Sequence, residues 1–220
     1  MKAPADPVLR QSLVSAMQRL DALGLNRGSN GNGSVRDSSG SGCWITPTGM
    51  AAAELAADAL AWVGADGSAK GEWVPSSEWP LHAAVYAVRP DLSAVIHVHS
   101  VHATALACLR RPLPAFHYMV AVAGGSDVPC VPYHLFGSAE LSQAVAAAFV
   151  DRCACLMANH GLVVGGVDLA QALNVVLEVE ALAETYLKAS AAGAPALLDA
   201  AQMAAVIERF RDYGRARLSR

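Results

Sequence analysis

The chain has 220 residues, 54% of them hydrophobic and only 16% charged, with a formal net charge of −3. That is ample for one sizeable core, and it leaves a rather apolar surface suited to subunit contacts. Without a basic stripe nucleic acid is not an expected partner, and without a run of about 18 apolar residues no membrane span is expected. The opening MKAPADPVLRQSL lacks the apolar stretch of a secretory signal, so the chain reads as cytoplasmic. Its five cysteines are odd in number and scattered, and read as reduced thiols.

Asp6-Pro7 opens a helix with a capping residue and then proline in the first turn. Leu9, Leu13, Met17 and Leu20 continue it at helical spacing, and Gly24 ends it. The run 25–34 then sets Gly28, Gly31 and Gly33 among Asn and Ser. Such a run fits a surface turn, and equally a loop whose backbone N–H groups close on an anion. Residues 34–37 and 43–46 flank a Ser/Gly-rich turn and predict a hairpin. Thr46-Pro47-Thr48-Gly49 ends its second strand with hydroxyls and a glycine, again suited to a phosphate. A short helix over 50–57 and a strand over 60–63 follow.

Pro75-Ser76-Ser77-Glu78 introduces a helix that runs to Arg89-Pro90. Ser76 or Ser77 would cap it, with Glu78 in the first turn, and taken alone the motif is ordinary capping. The next strand holds Val95, Ile96 and Val98, interleaved with His97 and followed by His99. Strand side chains alternate, so both imidazoles point the same way, with Cα atoms about 6–7 Å apart. They can share one metal ion; the pair by itself also fits two hydrogen-bonded strand-end histidines. A short helix over 102–108, a break at Arg111-Pro112, a short strand at Cys130-Val131-Pro132 and a helix from Ser138 to about Val150 come next. Cys153-Ala154-Cys155-Leu156-Met157-Ala158 is an apolar strand that delivers Asn159-His160-Gly161. A strand over 162–166 leads to a long helix capped by Asp168, with Glu180 and Glu184 expected on its solvated face. A last helix spans 199–210. No repeat or linker interrupts the chain, which predicts a single domain over 1–220.

His97, His99 and His160 fit a catalytic zinc site of three protein ligands with one open position. A divalent ion held this way acts as a Lewis acid on a substrate oxygen. Glu78 offers a carboxylate as base or as a resting fourth ligand. The Gly/Asn loop, Thr48-Gly49 and Ser76-Ser77 offer neutral donors for a dianion, and no lysine stands in a Schiff-base setting. The set points to a phosphorylated carbonyl substrate, a metal-stabilised enediolate and a carboxylate base.

An ordered series of motifs carries a resemblance over nearly the whole chain. It runs through Gly24-Leu25-Asn26-Arg27-Gly28, Gly31-Asn32-Gly33-Ser34-Val35-Arg36 and Ile45-Thr46-Pro47-Thr48-Gly49. It continues with Pro75-Ser76-Ser77-Glu78-Trp79, His97-Val98-His99 with His102, and His117-Tyr118-Met119 through Gly124-Gly125. Tyr133 with Phe136-Gly137, His160-Gly161-Leu162, and Phe210 with Tyr213-Gly214 complete it. Each motif alone is weak, but in this order they resemble the class II aldolase/adducin family. The resemblance implies an α/β fold, three layers α/β/α around a mostly antiparallel sheet. It also implies a homotetramer with active sites between subunits and a mobile C-terminal tail. By matching, His97, His99 and His160 would bind Zn2+, with Glu78 approaching it at rest. Asn32, Thr48, Gly49, Ser76 and Ser77 would hold the substrate phosphate. Glu78 would move the proton at the donor carbon, and Tyr118 and Tyr213 would assist at the aldehyde oxygen. The activity implied is reversible cleavage of a ketose 1-phosphate to dihydroxyacetone phosphate and a small aldehyde. Epimerases, decarboxylases of sugar-acid phosphates and non-enzymatic scaffold domains are the rival readings within the same family. Two departures stand out. One glycine more than the family pattern lies between Ser29 and Gly33, which predicts a looser loop, and Asn159 stands where a second histidine can precede His160.

Overall fold

The computed structural model describes residues 4–212. Pro7–Ala22 forms the first helix, α1, started by the fixed φ of Pro7 and buried through Leu13, Val14, Met17 and Leu20. Asp6 does not cap it as expected. Asp6 sits at φ 38°, and its carboxylate accepts from Ser38 N and Trp44 Nε1, which ties the helix start to the neighbouring hairpin. That hairpin is β1 (Asn32–Arg36) with β2 (Gly42–Ile45), followed by β3 (Ala61–Gly64) and β4 (Ala69–Lys70). In place of a helix over 50–57 the chain makes two 3-10 turns, Ala52–Glu54 and Ala57–Ala59. Leu55 and Ala56 between them are extended, and Ala52, Leu55 and Ala59 are all buried. Burial at that spacing overrides the helix propensity of the alanines.

The remaining elements are α2 (Trp79–Val88), β5 (Ala94–Val98), α3 (Val101–Cys108), β6 (Cys130–Val131), α4 (Ala139–Phe149), β7 (Ala154–Met157), β8 (Gly161–Gly166), α5 (Leu169–Ala192) and α6 (Ala200–Asp212). Eight strands form one sheet in the order β4-β3-β2-β1-β5-β8-β7-β6. Neighbours run antiparallel except β6 and β7, which are parallel. Helices cover both faces, so β7 and β8 are buried and apolar on both sides, and β5 is so apart from His97. Ile96, Val98, Leu162 and Val164 join α1, α3 and α5 in one core; Val95, Cys155 and Val163 join α2 and α4 in the other. Each fully buried Leu, Val or Phe here contributes about 1.5–3 kcal/mol. The result is the three-layer α/β/α architecture that the resemblance implies. Among the described residues no helix is long and apolar enough to cross a membrane.

Asp168 caps α5 as expected, accepting from Gln171 N at 2.7 Å, and Glu184 pairs with Lys188 on the surface. Glu180, expected on the solvated face, is instead buried. Its carboxylate accepts from Ser100 Oγ (2.7 Å), His102 N (2.8 Å), Ala103 N (2.9 Å) and His102 Nδ1 (2.9 Å). It thus satisfies the free N–H groups at the start of α3, directly after the strand that carries His97, and its charge suits that helix end. Glu180→Leu would strand these donors in the interior. We expect a loss of about 3 kcal/mol in folding stability, read from the denaturant midpoint at fixed protein concentration. A loss under about 1 kcal/mol would reject this role.

Candidate metal centre and its cleft

Three neighbouring strands end together at the site. The register sets Asn32 of β1 opposite His97 of β5, and Val98 opposite Leu162 of β8. His97 and His99 leave β5 on one side of the sheet, and His160 enters from the turn before β8. The three rings lie edge to face, with centroids 4.7, 4.7 and 5.0 Å apart. Their candidate ligand nitrogens all fall within 4.8 Å of one another. His97 is fully buried, and its Nδ1 donates to Leu162 O at 3.0 Å, which leaves the Nε2 lone pair free to face the other rings. Burial, then the neighbouring histidines, pulls the His97 pKa well below its ordinary value. Burial also lowers His99 and His160, against the opposing pull of Glu78. Neutral imidazole is the form that binds a metal.

The turn between β7 and β8 aims His160. Asn159 adopts a left-handed φ of 55°, which its short polar side chain tolerates, and Asn159 Oδ1 accepts from Arg110 Nε at 2.9 Å. At Gly161 a Cβ would come within 2.6 Å of Val98 O and 2.9 Å of His99 Cδ2. Any larger residue there would push the imidazoles apart.

Glu78 lies at the mouth of this cup and is 7% exposed. It precedes α2 directly, and neither Ser76 nor Ser77 caps that helix by its side chain; Ser76 Oγ instead accepts from Glu78 N. Glu78 Oε2 accepts from Asn32 Nδ2 at 2.9 Å and is 3.4 Å from His97 Nε2. Glu78 Oε1 is 3.5 Å from His160 Nε2 and is buried without a hydrogen-bond partner. An unpartnered buried carboxylate oxygen is costly, about 1–3 kcal/mol or more. Facing three neutral imidazoles, it fits a positive ion among them.

A cleft of about 420 Å³ opens from the cup. Glu78, His99 and His160 line its floor, and Asn32, Thr48, Gly49, Ser76 and Ser77 line its sides. Thr48 N donates to Val74 O and Ser76 N to Thr46 O, so the two turns are held together. No lysine or arginine is among the described lining residues, so the polar groups on offer are neutral donors. Two of the three glycines in the run 25–34 are closely packed. A Cβ at Gly31 would come within 2.5 Å of both Asn26 Oδ1 and His97 O, and one at Gly33 within 2.6 Å of Met17 Sδ. Gly31 is required both by the His97 carbonyl it packs against and by its φ of 70°, whereas a Cβ at Gly33 would meet side chains of Met17 and Leu13 that can shift.

Asn32 borders the cleft but is 4% exposed, its amide engaged by Glu78 and by His82 Nε2 at 2.5 Å. Tyr118 is half-exposed and does not line the cleft; it borders a groove with Met119, Val206 and Arg209 of α6. Tyr213 lies outside the described residues. Sequence reasoning missed His134 at the cleft and gave Tyr133 and Phe136 no role there. It also missed the buried His82 beneath Asn32. The available signal was spacing: Glu78, His82 and Tyr86 recur every four residues along one helix face.

An imidazole cup with a facing carboxylate, set at the ends of central strands in a three-layer fold, defines a class: a metal-site enzyme with a cleft of neutral donors. The particular family follows from comparison. The chain belongs to the Class II Aldolase and Adducin N-terminal domain family, matched over residues 11–187. It is 45% identical over 206 residues to a 5-methylthioribulose-1-phosphate/5-deoxyribulose-1-phosphate aldolase of Rhodospirillum rubrum, covering 94% of this chain and 92% of that one. It is 42% identical over 207 residues to the L-fuculose phosphate aldolase of Escherichia coli K12, covering 94% and 95%. A solved L-fuculose 1-phosphate aldolase superposes with a TM-score of 0.90 at 40% identity, covering 95% of this chain and 98% of that one. The enzyme class is that of the class II aldolases, carbon–carbon lyases.

Proposed function

We propose that the protein is a zinc-dependent aldolase that reversibly cleaves a ketose 1-phosphate to dihydroxyacetone phosphate and a small aldehyde. The observation that carries this reading is the unpartnered Glu78 Oε1 facing His160 in a cup of three neutral imidazoles. His97, His99 and His160 would hold the ion, and three nitrogen ligands suit zinc. When bound, the ion would supply Lewis acidity to the substrate's carbonyl side.

The chain's own groups account for the rest. Thr48, Gly49, Ser76 and Ser77 offer hydroxyl and backbone donors for the phosphate, which anchors the three-carbon end beside Glu78. Glu78 returns a proton to the carbon freed when the C3–C4 bond breaks, and removes it in the direction of synthesis. Tyr118 and Tyr213 would assist the proton at the other oxygen, which leaves the C4 hydroxyl in cleavage and returns to the aldehyde oxygen in synthesis. Tyr118 lies outside its own cleft, so in this reading it would serve the site of a neighbouring subunit of a homotetramer; a single domain over 1–220 that includes Tyr213 is part of the same proposal.

The relatives described above are named for different ketose phosphates; any ketose 1-phosphate cleaved between C3 and C4 yields dihydroxyacetone phosphate, so such substrates differ in the aldehyde half. Two large aromatic side chains, Tyr133 and Phe136, also line the cleft, and on this reading they would shape the aldehyde half. The deciding experiment incubates the purified protein with dihydroxyacetone phosphate and an aldehyde panel, with and without chelator. New ketose 1-phosphate, lost on metal removal, is expected. In a parallel incubation with a pentulose 5-phosphate, interconversion of its C4 epimers, with no carbon–carbon product from the aldehyde panel, would favour the epimerase reading instead.

A further inference from the structure

Beneath Glu78 runs a buried line of polar side chains that the proposed reaction leaves unexplained. Tyr86 Oη lies 2.9 Å from Ser34 Oγ, and Ser34 Oγ lies 2.7 Å from His82 Nδ1. His82 Nε2 lies 2.5 Å from Asn32 Oδ1, and Asn32 Nδ2 lies 2.9 Å from Glu78 Oε2. Ser34 and His82 are fully buried. Two elements supply the whole line: the Glu78, His82 and Tyr86 face of α2, and Asn32 and Ser34 two residues apart on β1.

The protons along this line can be assigned by elimination. A carboxylate oxygen only accepts, so Asn32 turns its NH2 to Glu78 and its carbonyl to His82. That carbonyl only accepts, so His82 carries its hydrogen on Nε2. Burial, with His97 nearby and against the pull of Glu78, holds the His82 pKa down to about 3, so the ring is neutral and Nδ1 accepts from Ser34. Ser34 has one proton, spent on His82, so Tyr86 donates to Ser34 at 2.9 Å in preference to Ser93 O at 3.5 Å. Every donor points toward Glu78.

The opposite order fails at one definite place. With the hydrogen on Nδ1, the Nε2 lone pair would face Asn32 Oδ1 at 2.5 Å. The amide would turn over and set its oxygen against Glu78 Oε2, a contact of two acceptors unless Oε2 itself carries a proton. The tautomer of His82 therefore decides which oxygen of Glu78 is available to a proton.

We propose that His82 is a positioning residue: acting through Asn32, it keeps Glu78 Oε2 an acceptor and leaves Oε1 as the oxygen that takes up and returns the proton. The proposal rests on the aldolase reading for the other holder of that proton, the substrate carbon. In synthesis the proton passes from that carbon to Oε1, and in cleavage it returns; the C–H bond broken in one direction is formed in the other. No proton travels along the Tyr86–Ser34–His82 line, which has the same arrangement before and after. Asn32 is on this account an anchor for Glu78 more than a phosphate ligand.

The test uses the metal-loaded protein and dihydroxyacetone phosphate. Nitrogen-15 NMR of labelled histidine should show His82 as the Nε2–H tautomer; an Nδ1–H signal overturns the proposal. His82→Leu should slow solvent hydrogen exchange into dihydroxyacetone phosphate by roughly 10–100-fold in kcat, the usual range for loss of an orienting partner. KM and metal content should stay within about threefold of wild type, well under that kcat loss. His82→Gln, which keeps an N–H for Asn32, should recover most of the rate, where a purely structural role would leave both variants equally impaired. His82→Leu combined with Asn32→Ala should lose no more than Asn32→Ala alone; additive losses overturn the proposal. Should His82→Leu fail to fold, the tautomer and His82→Gln decide it, and a His82→Gln loss equal to that of Asn32→Ala overturns it. A wild-type protein with no exchange activity sinks the aldolase reading instead, while the tautomer still decides the arrangement.

Discussion

His97→Ala is expected to abolish metal binding and activity together. His97 is the fully buried member of the cup, oriented by Leu162 O and within reach of both other imidazoles. Alanine leaves two ligands, and it leaves a void where Glu78 Oε2 now meets the ring. Loss of Lewis-acid stabilisation is worth several kcal/mol, so turnover should fall by roughly three to four orders of magnitude. Elemental analysis of the purified variant should show metal far below one ion per chain. The fold should persist, because Val95, Ile96 and Val98 keep β5 in both cores. Stoichiometric zinc in a folded His97→Ala protein would sink the ligand assignment.

Glu78→Gln separates the proton carrier from the metal. The amide is nearly isosteric, its oxygen can still accept from Asn32, and all three imidazoles remain. Metal content and dihydroxyacetone phosphate binding should therefore stay close to wild type. What disappears is the oxygen that exchanges a proton, since an amide is no base near neutral pH. Exchange of solvent hydrogen into dihydroxyacetone phosphate should slow by roughly 10²–10⁴-fold, the span for loss of a general base. Following deuterium incorporation by NMR measures this without any aldehyde, so unknown aldehyde preference does not enter. Near-normal exchange would remove Glu78 from the reaction.

The two variants probe parts of the site that were legible to different degrees in the sequence. The parallel aim of His97 and His99 follows from strand alternation, a local property of the backbone. The hairpin of β1 and β2, the cap at Asp168 and the β-rich segments around residues 95 and 163 were legible for the same reason. The 3-10 turns after β2 were not, because alanines with high helix propensity yielded to burial at a different spacing. Glu180 misled in the same way. A glutamate on a long helix is normally solvated, yet this one answers the free N–H groups of a helix start 78 residues earlier.

By itself, then, the sequence determined which chemical groups are present and how near neighbours along the chain are aimed. It named three imidazoles, one carboxylate and turns rich in Gly, Asn, Ser and Thr, and its ordered motifs named the family. Only the tertiary structure decided that His160 closes on the other two rings, through the pairing of β5 with β8. Only it decided that Asn32, 46 residues from Glu78 in sequence, gives its amide to that carboxylate, and that His82 lies beneath them both. Spacing of two or four residues is settled by local backbone geometry. Contacts across tens of residues depend on strand register and on which polar atoms burial forces to find partners, and those are properties of the whole packed chain.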